Sequence, residues 1–181
     1  MSSAQIAGVV VAAVLGFWML GAYNRLVRLR QAIALSFAQV DAQLQQRHEL
    51  IPQLTQVAAP FLADQPDALA AVEAARNQAR AAADHAAARP NAGRTLASLA
   101  LAEEVLHGAL SRLMAHVKAS APLRAEPGLR EVVEGLAAAQ NRLSVARQNF
   151  NDAVIEYNRG VRQFPTRLIA GLFGFHVAGK F

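Results

Sequence analysis

The chain has 181 residues, a formal net charge of +5 and no cysteine, which gives room for one anchor and one folded domain. The missing cysteine excludes disulfides, thiolate metal sites, a cysteine nucleophile and a lipidated cysteine. Hydrophobic residues make up 54%, much of it alanine, and strand-type runs are missing after the first segment, so the composition points to an all-α protein. The sequence pI of about 10.7 raises nucleic-acid binding, but the basic residues are scattered and interleaved with acids along most of the chain. No aromatics sit among them as stacking platforms, so no nucleic-acid partner is expected.

The first element is an anchor over 1–24. No charge falls between Met1 and Asn24, and the apolar stretch Ile6 to Tyr23 would span roughly 27 Å as a helix, close to a bilayer's hydrocarbon thickness. Trp18 and Tyr23 stand where an interfacial aromatic belt would hold them, and Arg25, Arg28 and Arg30 follow at once. A cleaved signal peptide would begin with a basic region, and Met1-Ser2-Ser3-Ala4-Gln5 has none. The three arginines place the remainder of the chain in the cytoplasm by the positive-inside rule. The expectation is a single-pass membrane protein with its folded domain in the cytoplasm.

A helical domain over 25–165 follows. The first helix continues unbroken from Asn24 through Leu26, Leu29, Ile33, Phe37, Val40, Leu44, Ile51 and Leu54, a core-facing stripe at three- and four-residue spacings. Pro52 should kink it rather than stop it, with the end before Pro60 or by Ala63-Asp64-Gln65-Pro66. A second, alanine-rich helix runs from about Pro66 to Arg89, and Pro90-Asn91-Ala92-Gly93 ends it. A third covers about Arg94 to Ser120, with Glu103 occupying a seam position. Pro122 and Pro127-Gly128 bracket the next connection. A fourth runs from about Gly128 to Val161, with Gln140 and Arg147 on its seam. Four amphipathic helices with short connections imply an antiparallel up-and-down bundle. The apolar tail, 166–181, is expected to pack back onto the bundle as a short docking helix, with a membrane-surface segment and a partner contact as alternatives.

Several blocks of residues carry a family resemblance. Tyr23-Asn24-Arg25-Leu26-Val27-Arg28-Leu29-Arg30, Phe37-Ala38-Gln39-Val40-Asp41-Ala42-Gln43-Leu44 and Arg47-His48-Glu49-Leu50-Ile51-Pro52 resemble the first half of the LemA family signature. Asn141-Arg142-Leu143, Ala146-Arg147, Phe150-Asn151-Asp152-Ala153-Val154, Tyr157-Asn158, Phe164-Pro165 and Gly174-Phe175 resemble the second. The resemblance implies a bacterial, N-terminally anchored helical protein without an established enzymatic activity, acting in an envelope complex. Two places depart from the family pattern. Lys118-Ala119-Ser120-Ala121-Pro122 stands where relatives have a Glu-Ala-Tyr-Pro-like stretch, and Gln140 stands where they carry glutamate.

Signs of chemistry are sparse. Glu103 and His107 are one helical turn apart and could form half a metal site, but no second pair on another helix completes it. Ser98, Ser111 and Ser144 lie within helical pattern, and no glycine-rich phosphate loop occurs. The residues that stand out are polar groups on apolar seams: Asp41, Glu103, Gln140 and Arg147, with Arg147 expected to pair with Asp41 or Glu103. Asn151 and Asn158 could line a groove beside Arg147. The expectation is a membrane-anchored scaffold or interaction module with protein partners, no cofactor and no catalysis. A self-assembling homo-oligomer comes second and a metal- or ligand-dependent enzyme last. An exposed apolar patch is expected on the alanine-rich helix or on the tail from Leu168 to Phe175.

Overall fold

The computed structural model describes residues 2–63 and 65–181, so Met1 of the expected anchor and Asp64 of the first connection lie outside the described residues. All the described elements are helical. Helix α1, Ser3–Ala58, is one uninterrupted rod, followed by a 3-10 turn at Ala59–Phe61. Then come α2, Pro66–Ala88, and α3, Gly93–Ala119. A short α4, Ala121–Arg124, precedes α5, Pro127–Arg162, and a seven-residue α6, Thr166–Leu172. The short helix α4 was hidden in the sequence by its length, while α6 answers to a short docking helix in the apolar tail, one of the fates open to that segment.

The core stripe of α1 is more regular than its large side chains suggest. Ile33, Phe37, Val40, Leu44, Arg47, Ile51, Leu54 and Ala58 alternate four- and three-residue steps, and every one is buried. Helix α5 lies antiparallel against this stripe. Gly128 approaches Val57, Gly135 approaches Leu50, and Gly160 comes against Leu26 and Leu29. Helix α2 buries Ala75, Ala79, Ala83 and Ala86, side chains short enough to let it sit close to α1 and α3. The alanine-rich face expected to be an exposed patch is thus partly spent inside. Two apolar clusters result. One gathers around Phe37 and Phe150, whose rings meet edge to face at 5.5 Å between centroids. The other gathers around Ile51, Leu54, Leu106 and Leu113.

Pro52 does not end α1. Lacking an N–H, it leaves the carbonyl of His48, one turn earlier, without its helical donor. Arg76 of α2 supplies the missing bond, its Nε donating to that carbonyl at 2.7 Å. The helix break that proline threatens has become a tie between helices.

The chain turns back after α6 through a Schellman motif: Phe175 N–H donates to Ala170 O at 2.9 Å, with Gly174 at φ 68. Residues 175–181 then run extended along α5, and Phe175, Ala178 and Phe181 are buried. At the α2–α3 connection the tail passes Gly93 so closely that a Cβ on Gly179 would overlap the Gly93 backbone. A Cβ on Gly93 would meet Gly179 Cα at an ordinary 3.5 Å.

Two substitutions at this crossing should therefore differ sharply. Gly179→Ala should lift residues 176–181 off the helices, seen as rapid amide exchange and proteolysis confined to the tail. Gly93→Ala should leave tail protection unchanged. Equal behaviour of the two variants would contradict the crossing geometry.

Candidate functional site: a buried ion pair and a half-filled groove

The two apolar clusters are separated by a polar layer. Arg47, on the α1 stripe, is buried, with its NH2 paired to Oε2 of Glu103 from α3 and its NH1 donating to Oε1 of Gln140 from α5 at 2.9 Å. His48 is buried beside it, its Nε2 lying 3.4 Å from the other Glu103 oxygen. A carboxylate can only accept, so the His48 hydrogen at this contact sits on Nε2. Arg47 Nε is buried with no hydrogen-bond partner among the described residues. One guanidinium thus joins three helices.

Burial pushes the Glu103 carboxyl upwards, but the His48 hydrogen bond and the charge of Arg47 outweigh it, and the group is held below the usual carboxylate value. A lowered value means that the stability from this carboxylate is full above roughly pH 5 and is lost as pH falls through the lowered value. Asp41 behaves oppositely. Burial and the nearby Asp84 raise its value against the hydrogen bond from Gln45, so its carboxylate is disfavoured as pH rises through the ordinary carboxyl range.

The expected polar set is therefore redistributed. Glu103 and Gln140 do meet, but at Arg47 and not Arg147. Asp41 is half-buried, bonded to Gln45 in a small polar cleft of about 170 Å³ facing α2. Arg147 pairs with neither Asp41 nor Glu103; its guanidinium lies 4.3 Å over the ring of Phe181. The reason is angular. The true seam positions of α5 are Ala139 and Ala146, both buried, and Gln140 and Arg147 each stand one residue further round the helix. Glu103 and His107 form no metal site, because Glu103 points to Arg47 while His107 is exposed; among the described residues no group of three His, Asp or Glu could hold a metal. Arg47 was legible as the residue filling the step between Leu44 and Ile51.

Asn151 and Asn158 do line a groove, and the chain's own tail occupies it. Asn158 donates through Nδ2 to Ala178 O at 2.9 Å and accepts from Ala178 N–H at 2.8 Å. Asn151 makes the same pair of bonds with Phe181, at 2.6 and 2.9 Å. The spacing explains the match. Seven helical residues rise roughly 10.5 Å, and three extended residues advance about 10 Å, so two asparagines two turns apart clamp every third residue of a strand. Between them Tyr157 donates to His176 O at 2.9 Å, and burial holds its phenol above the ordinary value and so neutral, against an opposing pull from Arg30.

The tail fills one half of the space between α3 and α5. The other half, beyond the polar layer, is an open groove of about 400 Å³. Arg47 and Leu54 form its floor, with Leu110 and Met114 of α3 facing Val133 and Leu136 of α5, and His107 and Lys118 on the rim. At the opposite end, Tyr23 packs against Phe173 and Phe175 at 4.9 and 5.7 Å between ring centroids. Arg25, Arg28 and Arg30 are exposed there, and Trp18 is 39% exposed further along α1.

Among the described residues the chain is thus all-helical, with one N-terminal helix long and apolar enough to cross a membrane, a buried ion pair between helices and an asparagine-clamped tail. The model of the LemA family matches residues 36–181, and the chain belongs to that family. The match starts within α1, past the apolar stretch, and runs through the clamped tail; the block Tyr23 to Arg30 lies outside it. No match was found among curated proteins.

Arg47→Met should cost about 3–5 kcal/mol in chemical denaturation, because Glu103 is left buried with its charge opposed by nothing but the His48 contact. Arg47→Met with Glu103→Leu should recover most of that loss; a double variant as unstable as the single would show that the pair is not what stabilises the layer. Glu103→Gln should flatten the fall in stability that sets in as pH drops below the ordinary carboxyl range.

Proposed function

We propose that this protein is a single-pass, membrane-anchored interaction module of the bacterial inner membrane, built as an antiparallel up-and-down bundle and acting by binding protein partners rather than by catalysis. The observation that carries this reading is the groove between α3 and α5, half filled by an extended segment and half open. The filled half supports a mode of recognition in which side-chain amides engage main chain and apolar residues set into the seam. The open half offers a floor of Leu54 with the buried Arg47 at one end, suited to an apolar segment of a partner. Anchoring is supported by the first part of α1, where Val9, Val14 and Phe17 are 60%, 62% and 77% exposed in a helix that has no reason to hold them in water. The arginines that follow support a cytoplasmic bundle.

A photo-crosslinking residue at Ser111, on the wall of the open groove, should give an adduct with a second protein in intact cells. The same residue at Ser98, exposed and outside the groove, should not. Adducts of twice the chain's own mass would replace the partner reading with self-assembly. Adducts equally strong from both positions would remove the groove as the binding surface. For orientation, Ser98→Cys creates one unique thiol, which should react with an impermeant maleimide only after the inner membrane is opened.

A further inference from the structure

The outer face of α6 has no partner in the fold. Thr166, Ile169 and Ala170 face inwards and are buried, and the helix packs on both α1 and α5. Its other side is just as apolar. Phe164, Leu168 and Leu172 follow each other at four-residue steps, 69%, 58% and 71% exposed, with Phe173 beside them at 51%. Four large apolar side chains on one short stretch form a patch that water alone does not favour.

Two observations identify what covers it. The first is position. Phe173 rests on Tyr23, the last residue of the apolar stretch of α1, so α6 lies beside the turn at which that stretch ends. The second is charge. All acidic residues of the chain fall between Asp41 and Glu156. The two segments that meet at this end, residues 2–40 and 157–181, contain no acidic side chain and carry Arg25, Arg28 and Arg30 on one and Arg162, Arg167 and Lys180 on the other, while Arg159 is paired with Glu156 at 3.2 Å. The α2–α3 connection brought alongside by Gly179 is flanked by Arg89 and Arg94.

An apolar face at the height of a membrane interface, carried by segments whose own charged side chains are all basic, has the chemistry of an interfacial helix on an anionic bilayer. We propose that α6 is a second membrane contact: Phe164, Leu168, Leu172 and Phe173 enter the headgroup–acyl boundary, and the surrounding arginines bind acidic lipid headgroups. The contact rests on the anchored reading of α1. It adds that the bundle is seated on the bilayer at two points, the rod and α6. The tail clamped by Asn151 and Asn158 follows directly from Gly174, so it holds α6 in place from behind.

The full chain lacks cysteine, so single-cysteine variants give unambiguous depth probes. Leu172→Cys, Phe17→Cys and Val145→Cys, each carrying a small fluorophore, are reconstituted in phosphatidylcholine vesicles with and without phosphatidylglycerol, with lipids brominated on their acyl chains as quencher. All three positions are exposed, so labelling leaves the core intact. The expected result is quenching at Leu172 comparable with that at Phe17 when phosphatidylglycerol is present, and none at Val145. The Arg167→Glu change should reduce quenching at Leu172 and leave Phe17 unaffected. Quenching at Phe17 without quenching at Leu172 overturns the second contact and leaves the anchor standing. No quenching at Phe17 overturns the anchor, and the second contact with it. Shielding of Leu172 that grows with protein density instead of phosphatidylglycerol content assigns the patch to a second copy of the chain and overturns the lipid contact.

Discussion

A single guanidinium sets the register of the helices. Arg47 stands in the one polar step of an otherwise apolar stripe, and it reaches Glu103 on α3 and Gln140 on α5 from the same position on α1. A buried charge without its partner is far more costly than a misplaced methyl group, so sliding any of the three helices by a turn is penalised steeply. Apolar clusters above and below tolerate exchange of similar side chains; the layer between them does not. The pair is thus better read as a specification of alignment than as a large net source of stability. Gln140, standing where the family resemblance has a glutamate, keeps an acceptor oxygen for Arg47 and omits a second carboxylate beside the pair.

From this layer the rest of the architecture can be followed in both directions. Towards the far end, α3 and α5 leave a groove open above Leu54. Towards the apolar part of α1, the same gap is closed by residues 175–181, held by two asparagine amides at a spacing where helix rise and strand rise coincide. The tail is also what completes one of the two clusters, contributing Phe175, Ala178 and Phe181. An extended segment laid between α3 and α5 accounts for the filled half, and the open half continues the same gap between the two helices.

Much of the helical plan was legible in the sequence, because it rests on long periodic segments and on Pro and Gly punctuation. The ends of α2, α3 and α5 lie within about a residue of those expected from Pro66, Gly93 and Pro127. The polar contacts were less legible, for a specific reason. Alanine holds the seam positions Ala139 and Ala146, and the eye assigns the seam to the larger neighbours Gln140 and Arg147, about 100° away around the helix. Arg47 was passed over between Leu44 and Ile51, although its spacing placed it on the stripe. The role of Asn151 and Asn158 needed a partner whose conformation is extended and stabilised by no ladder of its own, and no local pattern announces that. The bond from Arg76 to the His48 carbonyl likewise depends on tertiary approach; only the vacancy, four residues before Pro52, could be read from the sequence.

The continuity of α1 has a mechanical meaning. No glycine pair, loop or missing turn separates its apolar part from the part that carries the stripe, and the one proline is bridged by Arg76. The rod beyond Tyr23 extends roughly 50 Å at the helical rise. With the apolar part seated in a bilayer, a tilt of roughly 20°, common for spanning helices, swings the far end sideways by roughly 18 Å. Bilayer thickness would then be converted into the height and bearing of the open groove, with α1 as the lever and no joint to absorb the motion.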